Sequence, residues 1–377
     1  MELFNVYNCY DINLVNGKGS YISDDKGNKY LDFYGGHGVI SIGHSHPHYI
    51  FRIEHQLHCL GFYSNAVRND MQEKLASKLG VLSGYDDYNL FLCNSGAEAN
   101  ENALKVASFH TRKSKIIAIK GAFHGRSSGA LAITDNPVLS SDFNAKHEVV
   151  FVEMNDISAL EKEISKNDVA AVIIEGIQGV NGVIEPGTEF LKAAESLCKS
   201  HKVILILDEV QSGYGRTGKF FAHQHAGIKA DIITTAKGMG NGFPIAGVII
   251  SPAIKAWSGM LGTTFGGSHL ACAAGMAVLE TIEEEKLIEN ATELGDYLIS
   301  KLKDDKAIKA IRGKGLMIGL DLENMPKVRK QLLEEFGIFT GSSGSSTLRL
   351  LPPLSITKKE VDQFIHAFQK ITQIVPV

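Results

Sequence analysis

The chain has 377 residues, 44% of them apolar and 21% charged, with 38 glycines. That composition is globular and excludes a disordered tail, a collagen-like chain and a coiled coil. Lys and Arg number 38 against 42 Asp and Glu, a formal charge of −4, and no basic block occurs, which excludes a basic face for nucleic acid.

The opening MELFNVYNCYDIN lacks a basic stretch followed by an apolar core, so no signal peptide is expected. No apolar run approaches the ~18 residues that suggest a membrane span. The cysteines Cys9, Cys59, Cys93, Cys198 and Cys272 are scattered, with no Cys-x-x-Cys pair. They read as reduced thiols of a cytoplasmic protein.

In chain order, residues 11–34 predict a small β-meander, with turn signals at Asn16-Gly17 and Lys26-Gly27-Asn28. From about residue 90, short apolar runs alternate with helical stretches. NLFLC precedes a helix over 95–109, KIIAIK a loop, EVVFV a helix over 156–166 and VAAVIIE a helix over 187–200. KVILILDE, DIITTAK and IAGVII follow. Buried strands separated by helices predict a mostly parallel sheet with helices on both faces. After residue 268 a long helical signal runs through HLACAAGMAVLETIEEEKLIENATELGDYLISKLKDD. GLMIGLDL, a helix near 325–335, LRLLPP and a last helix from Thr357 close the chain. The expected organisation is a large α/β domain over 46–265 and a smaller α+β domain assembled from 1–45 and 266–377.

Ligands of open α/β sheets bind outside the carboxyl ends of the strands. The polar residues following each apolar run are Asn94-Ser95-Gly96-Ala97-Glu98, Gly121-Ala122-Phe123-His124-Gly125-Arg126, Glu175, Asp208-Glu209-Val210-Gln211 and Lys237-Gly238. Ser95 and Glu98 have capping-box spacing, and Gly96 permits a close approach, so free amides and the helix dipole favour a phosphate. Asp208 at a strand end would need a cationic partner such as a protonated pyridine nitrogen. Lys237, partly buried, would have a lowered pKa and a nucleophilic amine. Phe123 could stack on a flat ring, and Arg126 could grip a carboxylate. Singly, each reads as well as a helix cap, a sheet-end Asp, a surface Lys, a core Phe or a surface Arg. Together on one rim they are what a pyridoxal phosphate site requires.

Two other motifs are weaker. Gly213-Tyr-Gly215-Arg-Thr-Gly218 matches G-x-G-x-x-G but opens no apolar helix, and Phe220 stands where a P-loop needs Ser or Thr. His44, His46 and His48 alternate as if on one strand face, but without helical spacing or a Cys ligand. They read as a loop of locally bonded histidines, and no metal is expected.

The ordered segments FLCNSGAEANENALKVA, AFHGRSSGAL, LILDEVQSGYGRTGKFFA, AKGMGNGFPIAGV, TTFGGSHLACAA and IRGKGLMIGLDL carry a resemblance that runs from YLDFYGG to LRLLPPL. The chain resembles the class III (subgroup II) aminotransferases of pyridoxal phosphate fold type I, and within them the acetylornithine aminotransferase branch. The resemblance implies pyridoxal 5′-phosphate as cofactor, with Lys237 and Asp208 as catalytic residues. It places Ser95, Gly96 and Ala97 at the phosphate and Phe123 on the ring. Glu175 is kept from the family's cofactor-site motif, Val210 lies behind the ring and Gln211 near the ring hydroxyl. Thr264 would reach the phosphate of a neighbouring subunit, which implies a homodimer. Arg126 would hold the donor's α-carboxylate, Thr263 would touch substrate, and Arg349 would hold the α-carboxylate of glutamate or 2-oxoglutarate.

The implied reaction moves the terminal amine of N-acetylornithine or N-succinylornithine to 2-oxoglutarate, giving the semialdehyde and glutamate, in arginine biosynthesis. An ornithine or 4-aminobutyrate ω-aminotransferase is the alternative. There are departures. Where the family reads Glu-Pro-Ile-Gln-Gly-Glu, this chain has Glu175-Gly176-Ile177-Gln178-Gly179-Val180. The second glutamate, which in relatives masks the glutamate-binding arginine, is Val180, so Arg349 is expected to lack that partner or borrow another. The family's Asn-Pro-Leu-Ala-Cys is Ser268-His269-Leu270-Ala271-Cys272 here, which leaves the donor's acyl group open.

Overall fold

The computed structural model describes residues 1–374. The larger sheet contains β4 (Asn89–Cys93), β5 (Lys115–Ile119), β6 (Val149–Val152), β7 (Val169–Glu175), β8 (Ile204–Asp208), β9 (Ile232–Thr235) and β10 (Ala246–Ile250). Their spatial order is β4-β10-β9-β8-β7-β5-β6. Only β10 runs antiparallel to its neighbours. β5, β7 and β8 are buried along their whole length, as apolar strands covered on both faces must be. The direction of strand progression reverses at β5 and β7, so the loops after β5, β7 and β8 open around one crevice.

The smaller sheet joins both ends of the chain. β1 (Leu14–Lys18), β2 (Tyr21–Asp24) and β3 (Lys29–Phe33) pair with β11 (Ile308–Lys314), β12 (Met317–Leu322), β13 (Ile338–Ser343) and β14 (Thr347–Leu350), in the order β1-β2-β3-β13-β14-β12-β11. β3 and β13 make its parallel pair, with Ile338 opposite Leu31.

Three local expectations change. Asn16-Gly17 lies inside β1 at a register shift and is not a turn. Gly17 is needed for space, since a Cβ there would meet His44 Cβ at 2.8 Å. The β1–β2 turn falls instead at Gly19, whose φ is +59°. The long helical signal after residue 268 divides into His269–Glu284 and Leu287–Leu302, broken at Lys286 with φ 52°. Residues 46–89, without predicted elements, form the helices Pro47–Cys59 and Asp70–Ser83, both packed against His269–Glu284.

His46 caps the first of these helices and His48 lies within it, so the three histidines share no strand face. Each bonds a different carboxylate: His44 Asp32 at 2.8 Å, His46 Glu285 at 2.9 Å and His48 Glu280 at 2.6 Å. The G-x-G-x-x-G loop opens no helix. Its Arg216, 2% exposed, donates to the carbonyls of Ile40, Leu316 and Pro352, tying three distant segments together. No described helix is long and apolar enough to cross a membrane.

Candidate active site

The carboxyl ends of β4, β5, β7, β8 and β9 share one rim, and a cavity of about 370 Å³ opens over it. Ser95, Gly96, Ala97, Phe123, Glu175, Asp208, Val210, Gln211 and Lys237 all line this cavity. Ser95 caps the helix Gly96–Thr111, its Oγ accepting the Glu98 amide at 3.2 Å. Glu98 returns its carboxylate not to Ser95 but to the Asn94 amide, at 2.8 Å. The amides of Gly96 and Ala97 therefore point out of the helix with no protein partner among the described residues. Gly96 also has to be glycine for packing, because a Cβ would stand 2.7 Å from Val210 Cγ1.

Asp208 ends β8 and is 4% exposed. Its Oδ2 accepts from His124 Nδ1 at 2.7 Å and Asn100 Nδ2 at 2.8 Å, and its Oδ1 from the Val210 amide at 2.9 Å. Asn100 is held in turn by Thr234 Oγ1 at 2.7 Å, from the register partner of Asp208 on β9. Burial alone raises the pKa of this carboxyl, but the His124 bond and charge, with the amide and Asn100, outweigh it and hold Asp208 below the usual carboxylate range. Glu175, at the end of β7, accepts the Phe123 amide at 2.9 Å. Burial, with Asp208 adding to it, pushes Glu175 up to about 7.

Lys237 follows β9 in a backbone conformation with φ 44°, sparsely populated for a side-chain-bearing residue. Burial, reinforced by Arg349, lowers its pKa, while Asp208 and Glu175 pull the other way. An amine depressed in this way has a larger neutral, nucleophilic fraction.

Arg126, Thr263, Thr264 and Arg349 do not line the cavity. Arg126 is exposed on the loop after β5. Thr263 Oγ1 accepts from Asn94 Nδ2 and the Gly266 amide, both at 3.2 Å. Thr264 is exposed, next to Phe265 at 64% exposure. Arg349 is buried on β14, where Nε donates to Ser342 O at 2.9 Å and Nη1 to Gly179 O at 3.0 Å. Two neutral carbonyls thus take the place of a masking carboxylate. Val180, 43% exposed, lines the cavity beside them.

The family model for class-III aminotransferases matches residues 5–372. The chain belongs to this family. The acetylornithine aminotransferase of Bacillus cereus is 38% identical over 377 residues, covering 98% of this chain and 97% of that one. The acetylornithine aminotransferase of Methanocaldococcus jannaschii is 41% identical over 380 residues, covering 97% and 94%. Among solved structures, the ornithine aminotransferase of Toxoplasma gondii matches with a TM-score of 0.92 at 30% identity, covering 98% and 93%. The acetylornithine aminotransferase of Elizabethkingia anophelis matches with a TM-score of 0.85 at 31% identity, covering 98% and 96%.

This class-III aminotransferase is a pyridoxal 5′-phosphate-dependent transaminase, and its fold is that of the fold type I enzymes. The residues present suit the cofactor. Two free amides at a helix start offer a phosphate cradle, an ionised carboxylate suits a protonated pyridine nitrogen, and a depressed lysine suits its aldehyde. Gln211, which also lines the cavity, has its Oε1 buried without a hydrogen-bond partner among the described residues, against Gly179.

His124, Asn100 and Thr234 were given no role by motif reasoning, yet they hold Asp208. His124 stands directly after Phe123. Asn100 is the polar member of a helix face otherwise made of Ala99, Ala103, Val106 and Ala107, and a buried amide in such a stripe is its one sequence signal.

Proposed function

We propose that the chain moves the terminal (δ) amine of an N-acylated ornithine, N-acetylornithine or N-succinylornithine, to 2-oxoglutarate. The charge layout of the site carries this reading. The carboxylates lining the cavity, Asp208 and Glu175, lie on its floor, whereas Arg126 and Arg349 stand outside it as cations. An acylated ornithine brings one carboxylate and a neutral amide to that outer end. Free ornithine would bring a second ammonium there, toward the two arginines and away from the carboxylates on the floor. The full-length likeness to acetylornithine aminotransferases supports the same donor.

When bound, the cofactor supplies an electron sink for a carbanion at the amine-bearing carbon. Ser95, Gly96 and Ala97 would hold its phosphate, with Phe123, Val210 and Gln211 as the residues that would hold its ring. Asp208, fixed by His124 and Asn100, would favour a protonated ring nitrogen. Lys237 Nζ takes the proton from the carbon carrying the donated amine. Arg126 and Thr263 orient the donor and Arg349 the acceptor, which contributes positioning rather than chemistry.

The working unit of this reading is a homodimer. Phe265, packed on Phe62 with ring centroids 5.4 Å apart, lies among the exposed apolar residues Leu60, Phe62 and Tyr63, a patch suited to a second copy of the chain. Thr264 beside it would reach the phosphate of the partner's cofactor. The two sheets support a division into a large domain, 46–265, and a small one, 1–45 with 266–377.

Purified enzyme assayed with N-acetylornithine, N-succinylornithine, ornithine and 4-aminobutyrate against 2-oxoglutarate tests the reading. An acylated donor should have the highest kcat/KM, by about tenfold or more. Preference for ornithine or 4-aminobutyrate would reject it.

A further inference from the structure

The loop that carries Lys237 is clamped from behind, by groups outside the cavity. Lys237 has φ 44° and Asn241 φ 48°. Side-chain-bearing residues stay in such backbone only where their surroundings over-determine it. Here the surroundings are the segment that leads from β3 to the helix Pro47–Cys59. Asn241 is 6% exposed. Its Oδ1 accepts the Ser41 amide at 2.8 Å and the Ile42 amide at 3.1 Å, and its Nδ2 donates to Gly43 O at 2.9 Å. One carboxamide thus pairs with both kinds of backbone group, as a neighbouring strand would. Two more bonds close the clamp. Ser41 Oγ donates to Gly238 O and the Tyr49 hydroxyl to Gly240 O, each at 2.8 Å. The segment is itself fixed, because Ser41 O accepts the Leu354 amide at 2.7 Å and Ile40 O a guanidinium bond from Arg216 at 3.3 Å. Asn241, Ser41 and Tyr49 do not line the cavity, whereas Lys237 and Gly242 do.

We propose that Asn241 is a positioning residue for the transamination, which with Ser41 and Tyr49 fixes the backbone of Lys237 and so the reach of its Nζ. The inference rests on the role given to Lys237 above. Nζ has to serve two places, the cofactor's aldehyde and the carbon that gives up its proton. A flexible four-carbon stem meets both only from a fixed backbone, and a misplacement of about 1 Å can cost about 10²-fold in rate. Asparagine suits the task twice over. It tolerates left-handed backbone, and its carboxamide both accepts and donates. A loosened clamp would also let water reach the buried amine, whose other electrostatic neighbours are Asp208, Glu175 and Arg349.

Variants of the holoenzyme and of cofactor-stripped protein test this. Asn241→Gly keeps the left-handed freedom and removes the three side-chain bonds; Ser41→Ala and Tyr49→Phe remove one bond each. Asn241→Gly should lower kcat about tenfold and leave the donor and acceptor KM within about twofold. Ser41→Ala and Tyr49→Phe should lower kcat about threefold each. In stripped protein, the capture of added pyridoxal 5′-phosphate, followed as growing visible absorbance, should slow about tenfold in Asn241→Gly at neutral pH. Its pH profile should move up by about half a pH unit, as a better solvated amine holds its proton longer. A side chain that only stabilised the fold would lower denaturant midpoints and leave kcat and the capture profile unchanged. Wild-type kcat and capture profile in Asn241→Gly, or losses confined to KM, would overturn the inference alone. Should Asn241→Gly fail to fold, the kcat and capture profile of Ser41→Ala and Tyr49→Phe decide it in the same way. A wild type that captures no cofactor, or a Lys237→Ala variant that captures it normally, would remove the reading of Lys237 and this inference with it.

Discussion

Ser95, Phe123, Glu175, Asp208 and Lys237 each lie at or within four residues of the end of a strand of the larger sheet, and together they make the cavity floor. The groups outside it, Arg126, Thr264 and Arg349, come from three segments of the chain, with Arg126 and Thr264 exposed. The floor is sealed by short bonds between buried groups, as in the chain Thr234–Asn100–Asp208–His124. Of the outer groups, Arg349 is held by two backbone carbonyls. A floor of that kind preorganises charge for the chemistry. An outer shell whose groups are not bonded to that floor can change its ligand without disturbing that chemistry.

The contrast breaks first, if it breaks, at Lys237. Lys237→Ala should cut turnover by about 10⁴-fold and remove the visible absorbance of the cofactor bonded to this amine. Normal rates with retained absorbance would remove the floor's chemical role altogether.

Glu175 tests how dry the floor is. Below its ordinary pKa near 4.5 the carboxyl is protonated in both folded and unfolded chains. As pH rises from there to about 7, the unfolded chain ionises while the folded protein keeps its proton, so stability is lost across that window and the loss levels off above it. Glu175→Gln can still accept the Phe123 amide but does not titrate. In cofactor-stripped protein its stability relative to wild type should climb by up to about 3 kcal/mol between pH 4.5 and 7.5, read from denaturant midpoints. A flat difference would mean water reaches this carboxyl.

The same contrast explains what motif and period could reveal. A residue just past an apolar run is placed by its own strand, so Asp208 and Lys237 follow from local sequence. His124 and Asn100 bond Asp208 from 84 and 108 residues away, and nothing local marks that meeting. The strands of the larger sheet were readable from runs of Val, Ile and Leu, whereas β11, IKAIRGK, and β13, IFTGSS, carry no such run and were not expected. Asn16-Gly17 misled because a tertiary neighbour, His44, and not a turn, demands that glycine. The break at Lys286 escaped because the apolar period of His269–Glu284 continues into Leu287–Leu302 with neither Gly nor Pro between them.

Arg126 sharpens the contrast from the outer side. Arg126→Ala should raise the donor KM about 30-fold, the loss of a charge-assisted carboxylate clamp, with a smaller rise for 2-oxoglutarate. Steady-state kinetics varying each substrate in turn decides it, and equal rises would deny it a donor-specific role.

The smallest expected effect comes from Val180. Arg349 is held by the carbonyls of Ser342 and Gly179, which position the guanidinium and leave its charge uncompensated. A carboxylate introduced one residue beyond Gly179, on a side chain that already lines the cavity, would compete with the acceptor for that charge. Val180→Glu should therefore raise the 2-oxoglutarate KM about threefold to tenfold and relieve inhibition of the donor half-reaction by high acceptor concentration. Because the site is partly open, the effect should shrink as salt is raised. Unchanged competition between donor and acceptor would mean that Arg349 does not meet the acceptor's carboxylate, and the outer shell would need a different anion anchor.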